Sequence, residues 1–207
     1  MTEERSLSDL DRELIISTRE HLIRLSKQSP SFERNIEAIG HITFCLRGIG
    51  IRPVVVGGLA VEVYTFGTHP TVDVDIVVDE MMSFLSFLEI VGFEPKKIGG
   101  KHWYHRGLDL PIEIVGEKLH GSLEKVNQVI VENVVVFVIG IEDLILERLR
   151  YGVYWKSVLD MEIAETLLVA YKDKLDIEYL DLQAISQKKR IVQAWEELKD
   201  RYFMDKK

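Results

Sequence analysis

Cysteine is almost missing from this chain: Cys45 is the single one in 207 residues. One thiol cannot make an internal disulfide, so packing and hydrogen bonds must hold the fold, and the usage suits a reducing compartment. Cys45 reads as a small buried hydrophobe on the apolar side of a helix. Excess positive charge is missing too, since the formal net charge is −8. A long nucleic-acid duplex calls for basic patches, so tight binding to one is not expected. A nucleic-acid end or a free nucleotide stays open, because a bound metal supplies positive charge locally. No apolar run approaches a membrane span. The opening residues MTEERSLSDLDREL lack a basic stretch followed by an apolar one, so no secretory signal is expected and the cytoplasm is the default. There is no internal repeat and no low-complexity tract.

What remains is an ordinary globular composition, 46% apolar. Residues 54–78, VVVGGLAVEVYTFGTHPTVDVDIVV, organise the rest. They read as a strand, a Gly-Gly turn into a short helix over 59–65, a stop at Gly67, a rigid Thr68-His69-Pro70 connection, and a second strand with two aspartates. Strand side chains alternate, so Asp73 and Asp75 leave one side while Val72, Val74 and Ile76 leave the other as candidate core. Two carboxylates so placed repel unless a cation, a proton or a basic group lies between them.

Helical periodicity predicts helices over 8–27 and 31–47, the second capped at Ser31. An apolar side of these helices can cover the chain's own sheet or pair with a second copy. After the aspartate strand, Asp79 is expected to cap a helix over 80–91 whose Met82, Phe84, Leu85, Leu88 and Ile90 pack on the sheet. A Pro95-interrupted edge strand, a Gly99-Gly100 hairpin and an aromatic strand over 101–105 follow. The strand over 110–115 carries Glu113, with Asp109 on the same parity. A hairpin over 129–138 breaks at Glu132-Asn133. From Ile141 on, only helical periodicity remains, with helices over 141–151 and 154–171 and one or two more over 177–204. The expected class is α+β, a small mixed sheet flanked by helices with a helical C-terminal part. The expected divisions are N-terminal helices over 1–52, an α/β core over 53–140 and a helical part over 141–207.

Asp73, Asp75 and Glu113 converge if their strands are neighbours. Hard divalent cations take oxygen ligands from carboxylates and phosphates. Two such ions about 4 Å apart clamp the attacking and leaving oxygens of a phosphoryl displacement. Asp75 or Glu113 can take the proton of an attacking hydroxyl; spacing does not choose between them. Gly57-Gly58, between strand and helix, allows close approach and offers backbone N–H groups to phosphate. Thr68 and Thr71 can add hydroxyl hydrogen bonds. His102 and His105 fall on opposite strand faces with no cysteine nearby, which argues against zinc. Lys96, Lys97, Lys101 and Arg106 form a basic stretch, read either as a solvated hairpin or as a guide for a nucleotide or nucleic-acid end. Trp155 and Trp195 read as packing residues.

Gly57-Gly58, Leu59-Ala60, Gly67, Thr71 and Asp73-Val74-Asp75 together resemble the nucleotidyltransferase superfamily with its polymerase-β-like fold. The likeness is nearest to the small prokaryotic branch related to the nucleotidyltransferases of toxin–antitoxin systems. It extends over about residues 54–168, with Glu142-Asp143-Leu144-Ile145-Leu146 and Asp160 also in keeping with that branch. The resemblance implies that Asp73, Asp75 and Glu113 bind Mg2+ (or Mn2+) and that the glycines hold the triphosphate of an NTP substrate. It implies transfer to an acceptor such as a tRNA end, a protein or a small molecule. Two departures stand out. His69 occupies a position that is commonly Arg in these relatives, and neutral imidazole does not replace guanidinium as a phosphate contact. Glu113 stands where Asp is more common and carries its carboxylate farther out. A non-catalytic nucleotide- or protein-binding descendant, such as a toxin–antitoxin component, is the alternative.

Overall fold

The computed structural model describes residues 7–203, so the end of the last expected helix, at Met204, lies outside the described residues. The chain divides into two compact units. One holds residues up to Leu119 together with Val126–Val138; the other holds His120–Lys125 and the chain from Ile139. The class is α+β.

The first unit is built on a seven-stranded mixed sheet. Its strands are β1 (Val54–Val56), β2 (Val74–Val77), β3 (Glu94–Pro95), β4 (His102–His105), β5 (Leu110–Gly116), β6 (Asn127–Val131) and β7 (Val134–Val138), in the order β3-β4-β5-β2-β1-β7-β6. The β2–β5 and β1–β7 pairs are parallel and the others antiparallel. The sheet's centre falls where the β-branched runs are: all three valines of β1 are buried. Short Glu94–Pro95 sits at the edge, where a residue without an N–H costs no ladder bond.

Two helices precede the sheet. In α1 (Arg12–Leu25) the Asp11 carboxylate accepts from Glu13 N–H at 2.8 Å. In α2 (Phe32–Arg47) the Ser31 hydroxyl accepts from Arg34 N–H at 3.2 Å. Side-chain oxygens thereby satisfy N–H groups that have no partner within the helix. Helix α2 packs on β7, so its apolar side covers the chain's own sheet. Buried Arg34 donates to the carbonyl of Leu108 in the turn before β5, tying this helix to the strand that carries Glu113.

Several local expectations shift. The first expected helix is a single turn, Leu7–Asp9, followed by α1. The helix after β1, α3 (Gly57–Tyr64), starts at the glycine itself rather than at Leu59. Val72 is 78% exposed rather than core, because it belongs to the turn before β2 begins at Val74. Asp79 is not the cap of α4 (Met81–Ile90); Glu80 holds that position without a side-chain cap bond, since the chain stays on the sheet through Val78 N–H to Gly116 O at 3.1 Å. In α4, Phe84, Phe87 and Leu88 are buried, whereas Met82 and Ile90 face out.

The second unit contains α5 (Ile141–Trp155), α6 (Val158–Tyr171), α7 (Ile177–Ile185) and α8 (Lys189–Phe203). Tyr154 and Trp155 end α5 instead of opening α6, because Lys156 turns left-handed (φ 54°) between them. Buried charges staple this unit. Asp143 accepts from Tyr179 O–H at 2.7 Å and Ser122 N–H at 2.9 Å. Arg148 pairs with Glu147 at 2.7 Å and Asp160 at 3.0 Å. Trp195 packs as expected and donates to Asp181 at 2.8 Å, but Trp155 is 78% exposed.

Between α1 and α2, the His21 and His41 rings lie 3.9 Å apart, with Glu37 3.6 Å from His41 Nε2. Burial first, then the charges of His21 and Arg24, depress the His41 pKa from 6.5 to about 4. A base with a depressed folded pKa gives stability that is fully present above 6.5 and is lost as pH falls toward 4. Urea denaturation at pH 7.5 and pH 4.5 is expected to show a drop of about 1–3 kcal/mol, largely removed by His41→Gln.

Candidate metal centre

The sheet register makes the site. Asp75 on β2 stands opposite Val56 on β1 and opposite Glu113 on β5. Alternation puts Val74 and Ile76 into the core and leaves Asp75 half-buried on the other face; Ile112 and Ile114 flank Glu113 in the same way. Asp73, in the turn entering β2, is exposed. One carboxylate oxygen from each of Asp73, Asp75 and Glu113 lies within 4.8 Å of the others. Three hard oxygen donors at that separation match what a divalent cation such as Mg2+ or Mn2+ takes. Asp109, the reserve acid, is not in this group; it lies in the turn just before β5 with φ 50° and accepts from Tyr104 O–H.

The glycines are explained by what stands against them. Gly57 has φ +63°, and a Cβ there would lie 1.9 Å from Asp75 Oδ2. A Cβ on Gly58 would lie 2.7 Å from Thr71 Oγ1. Both residues must lack side chains so that β2 and its entering turn can close on α3. The first-turn N–H groups of α3 have no acceptor within the helix, and the helix's positive end stands beside the Asp75 carboxylate.

The turn before β2 is held by its own polar groups. Thr71 O–H donates to Asp73 Oδ1 at 3.1 Å, and Thr71 N–H donates to Glu62 Oε2 at 3.2 Å. Thr71 therefore meets the carboxylate group directly. Thr68 does not share those contacts: its hydroxyl donates to Thr65 O at 3.0 Å and lies 3.2 Å from His69 Nδ1. His69 and Thr68 engage each other in the connecting turn.

Two contributors were missed in the sequence. Glu62 is 5% exposed in the middle of apolar α3, and burial raises its pKa while the Thr71 N–H opposes the shift. A lone acid in Leu-Ala-Val-Glu-Val-Tyr was the available signal. His102 on β4 stands opposite Glu113, with Nδ1 3.4 Å from Oε2. His105 faces the other way, accepts from Leu108 N–H at 3.1 Å and packs on Phe93, which rules out a site shared by the two histidines. Arg106 of the basic stretch pairs with Glu94 at 3.1 Å.

No family model and no curated protein matches this chain. Among solved structures, an antigenic nucleotidyltransferase-like protein from Paracoccidioides brasiliensis superposes with a TM-score of 0.59 at 13% identity, covering 81% of this chain and 88% of that one. The fold is nucleotidyltransferase-like. At that identity the likeness concerns architecture, and within this nucleotidyltransferase-like fold the acidic group rests on the distances given above. Among the described residues, no helix is long and apolar enough to cross a membrane.

Gly57→Ala tests the close approach. A non-glycine residue in the left-handed region costs about 1–2 kcal/mol, and the clash with Asp75 adds to it. The variant is expected to melt at lower temperature by circular dichroism and to lose Mn2+ binding, whereas an Ala at the open Gly67 position, which carries the φ penalty alone, keeps Mn2+ binding.

Proposed function

We propose that this chain is a nucleotidyltransferase that uses Mg2+ or Mn2+ to move a nucleoside monophosphate from an NTP to a hydroxyl or phosphate-bearing acceptor. The observation that carries the reading is the three-carboxylate cluster beside the Gly57-Gly58 turn in a nucleotidyltransferase-like fold. Asp73, Asp75 and Glu113 would hold the cations. Bound there, divalent ions neutralise the phosphates and stabilise the charge that builds on the attacking and leaving oxygens.

The chain's own residues supply the rest. Asp75 or Glu113 takes the proton of the acceptor hydroxyl as its oxygen bonds to the α-phosphorus. The bond from that phosphorus to the β-bridging oxygen breaks, and pyrophosphate leaves. The N-terminal turn of α3, opened by Gly57-Gly58, cradles the triphosphate; Thr71 orders Asp73. Thr68 and His69 line the same connecting turn and complete the nucleotide-binding set. Residues 53–140 would carry this chemistry, supported by helices over 1–52, with 141–207 as a helical accessory. The acceptor is a tRNA end, a protein side chain or a small molecule, and the net charge of −8 favours something smaller than a duplex. The single cysteine favours the cytoplasm.

A second reading is a non-catalytic nucleotide- or protein-binding relative, for instance one half of a toxin–antitoxin pair. It draws on His69, which is engaged with Thr68 where relatives commonly have Arg, and on Glu113, which stands where Asp is more common.

Calorimetry with Mn2+ and a non-hydrolysable NTP is expected to show cation-dependent nucleotide binding, weakened by about 100-fold or more in Asp73→Asn/Asp75→Asn with the melting temperature retained. Labelled NTP offered to a cell extract should then leave label on an acceptor and release pyrophosphate. Binding without any transfer favours the second reading; absence of both cation and nucleotide binding removes the enzyme reading and leaves only the protein-binding form of the second.

A further inference from the structure

The register that joins Asp75 to Glu113 continues outward. Glu113 is opposite His102, and the His102 carbonyl accepts from Lys96 N–H at 2.8 Å. Glu113 thus stands between two neighbours of opposite character. On the β2 side are two aspartates whose oxygens come within 4.8 Å. On the β4 side is an imidazole, with Nδ1 3.4 Å from Oε2.

Glutamate has one more rotatable bond than aspartate, so holding its carboxylate in a cluster costs more side-chain entropy. The two aspartates also repel it. The His102 ring, with Nδ1 3.4 Å from Oε2, offsets both effects. That contact draws the Glu113 carboxylate toward β4 and limits its rotation. Partners of ligating carboxylates commonly tune metal affinity in this manner.

We propose that His102 is a positioning residue that steadies Glu113 as a cation ligand. This rests on the metal-site reading above. It explains how a longer acid can serve on β5: the register supplies it with a cross-strand partner.

The test is Mn2+ affinity, read by electron paramagnetic resonance and calorimetry, on the full chain. His102→Leu removes the donor, and His102→Asn places a side-chain N–H close to where Nδ1 stood. His102 is 59% exposed at its side chain, so both variants should melt within a few degrees of wild type. His102→Leu is expected to weaken Mn2+ binding about 10-fold, the low end for such partners because the contact is solvated. His102→Asn should stay within about 2-fold of wild type. In a Glu113→Asp background, whose shorter side chain withdraws from the ring, adding His102→Leu should change nothing further; a pairwise coupling isolates the contact. Unchanged or tighter binding in His102→Leu overturns the proposal, because the ring would then be idle or competing for Glu113. Equal losses in the Leu and Asn variants also overturn it. Absence of Mn2+ binding by wild type is a separate result: it defeats the metal-site reading, and this inference with it.

Discussion

Mutual repulsion among three carboxylates is the constraint around which the first unit is arranged. Oxygens of Asp73, Asp75 and Glu113 come within 4.8 Å of one another. A pair of unit charges at that distance costs about 1–3 kcal/mol across the range from water to a protein surface. The sheet register imposes this cost: Asp75 and Glu113 are directly paired across parallel β2 and β5. Nothing in the hydrophobic core requires acids there, since Val74, Ile76, Ile112 and Ile114 fill the other face whatever stands opposite. A divalent cation bound there would turn that cost into binding energy.

The surroundings accommodate the cluster piece by piece. Gly57 gives the Asp75 carboxylate space that a methyl group would occupy. The start of α3 sets a partial positive charge beside it. Thr71 binds Asp73 by its hydroxyl and Glu62 by its N–H, so the turn entering β2 is fastened at both ends. His102 faces Glu113 from the outer strand. In the second unit the charged groups serve each other: Arg148 between Glu147 and Asp160, and Asp143 between Tyr179 and Ser122, make a helical body held by internal ion pairs and hydrogen bonds.

The sequence was most legible where one period dominated. The β-branched runs of β1, β6 and β7 and the Ser31 cap of α2 fell where alternation and capping chemistry put them. The Asp-x-Asp spacing and the single acid in β5 pointed to the three carboxylates that the fold brings together; alternation accounts for Asp75 and Glu113, whereas Asp73 joins them from the turn before β2. Readings that needed a boundary fared less well. Val72 has the parity of a core residue but lies two residues before the ladder begins, and Tyr154 and Trp155 joined α5 because the left-handed turn at Lys156 has no glycine to announce it. His102 and Glu62 could not be assigned from spacing, since their partners are 11 and 9 positions away and meet them only through strand pairing and the return of a turn.

The linear chain by itself determined which groups were available: a two-residue acid repeat on a strand, a third acid on another, a pair of glycines at a helix start, and too little positive charge or cysteine for several other kinds of protein. Local periodicity carries that much because it depends on neighbours a few bonds away. Only the folded chain decided that β2 and β5 are adjacent, parallel and in a register that brings Asp75 against Glu113 and Glu113 against His102. Strand order is a property of long-range packing, and no spacing along the backbone encodes a distance between side chains nearly forty residues apart.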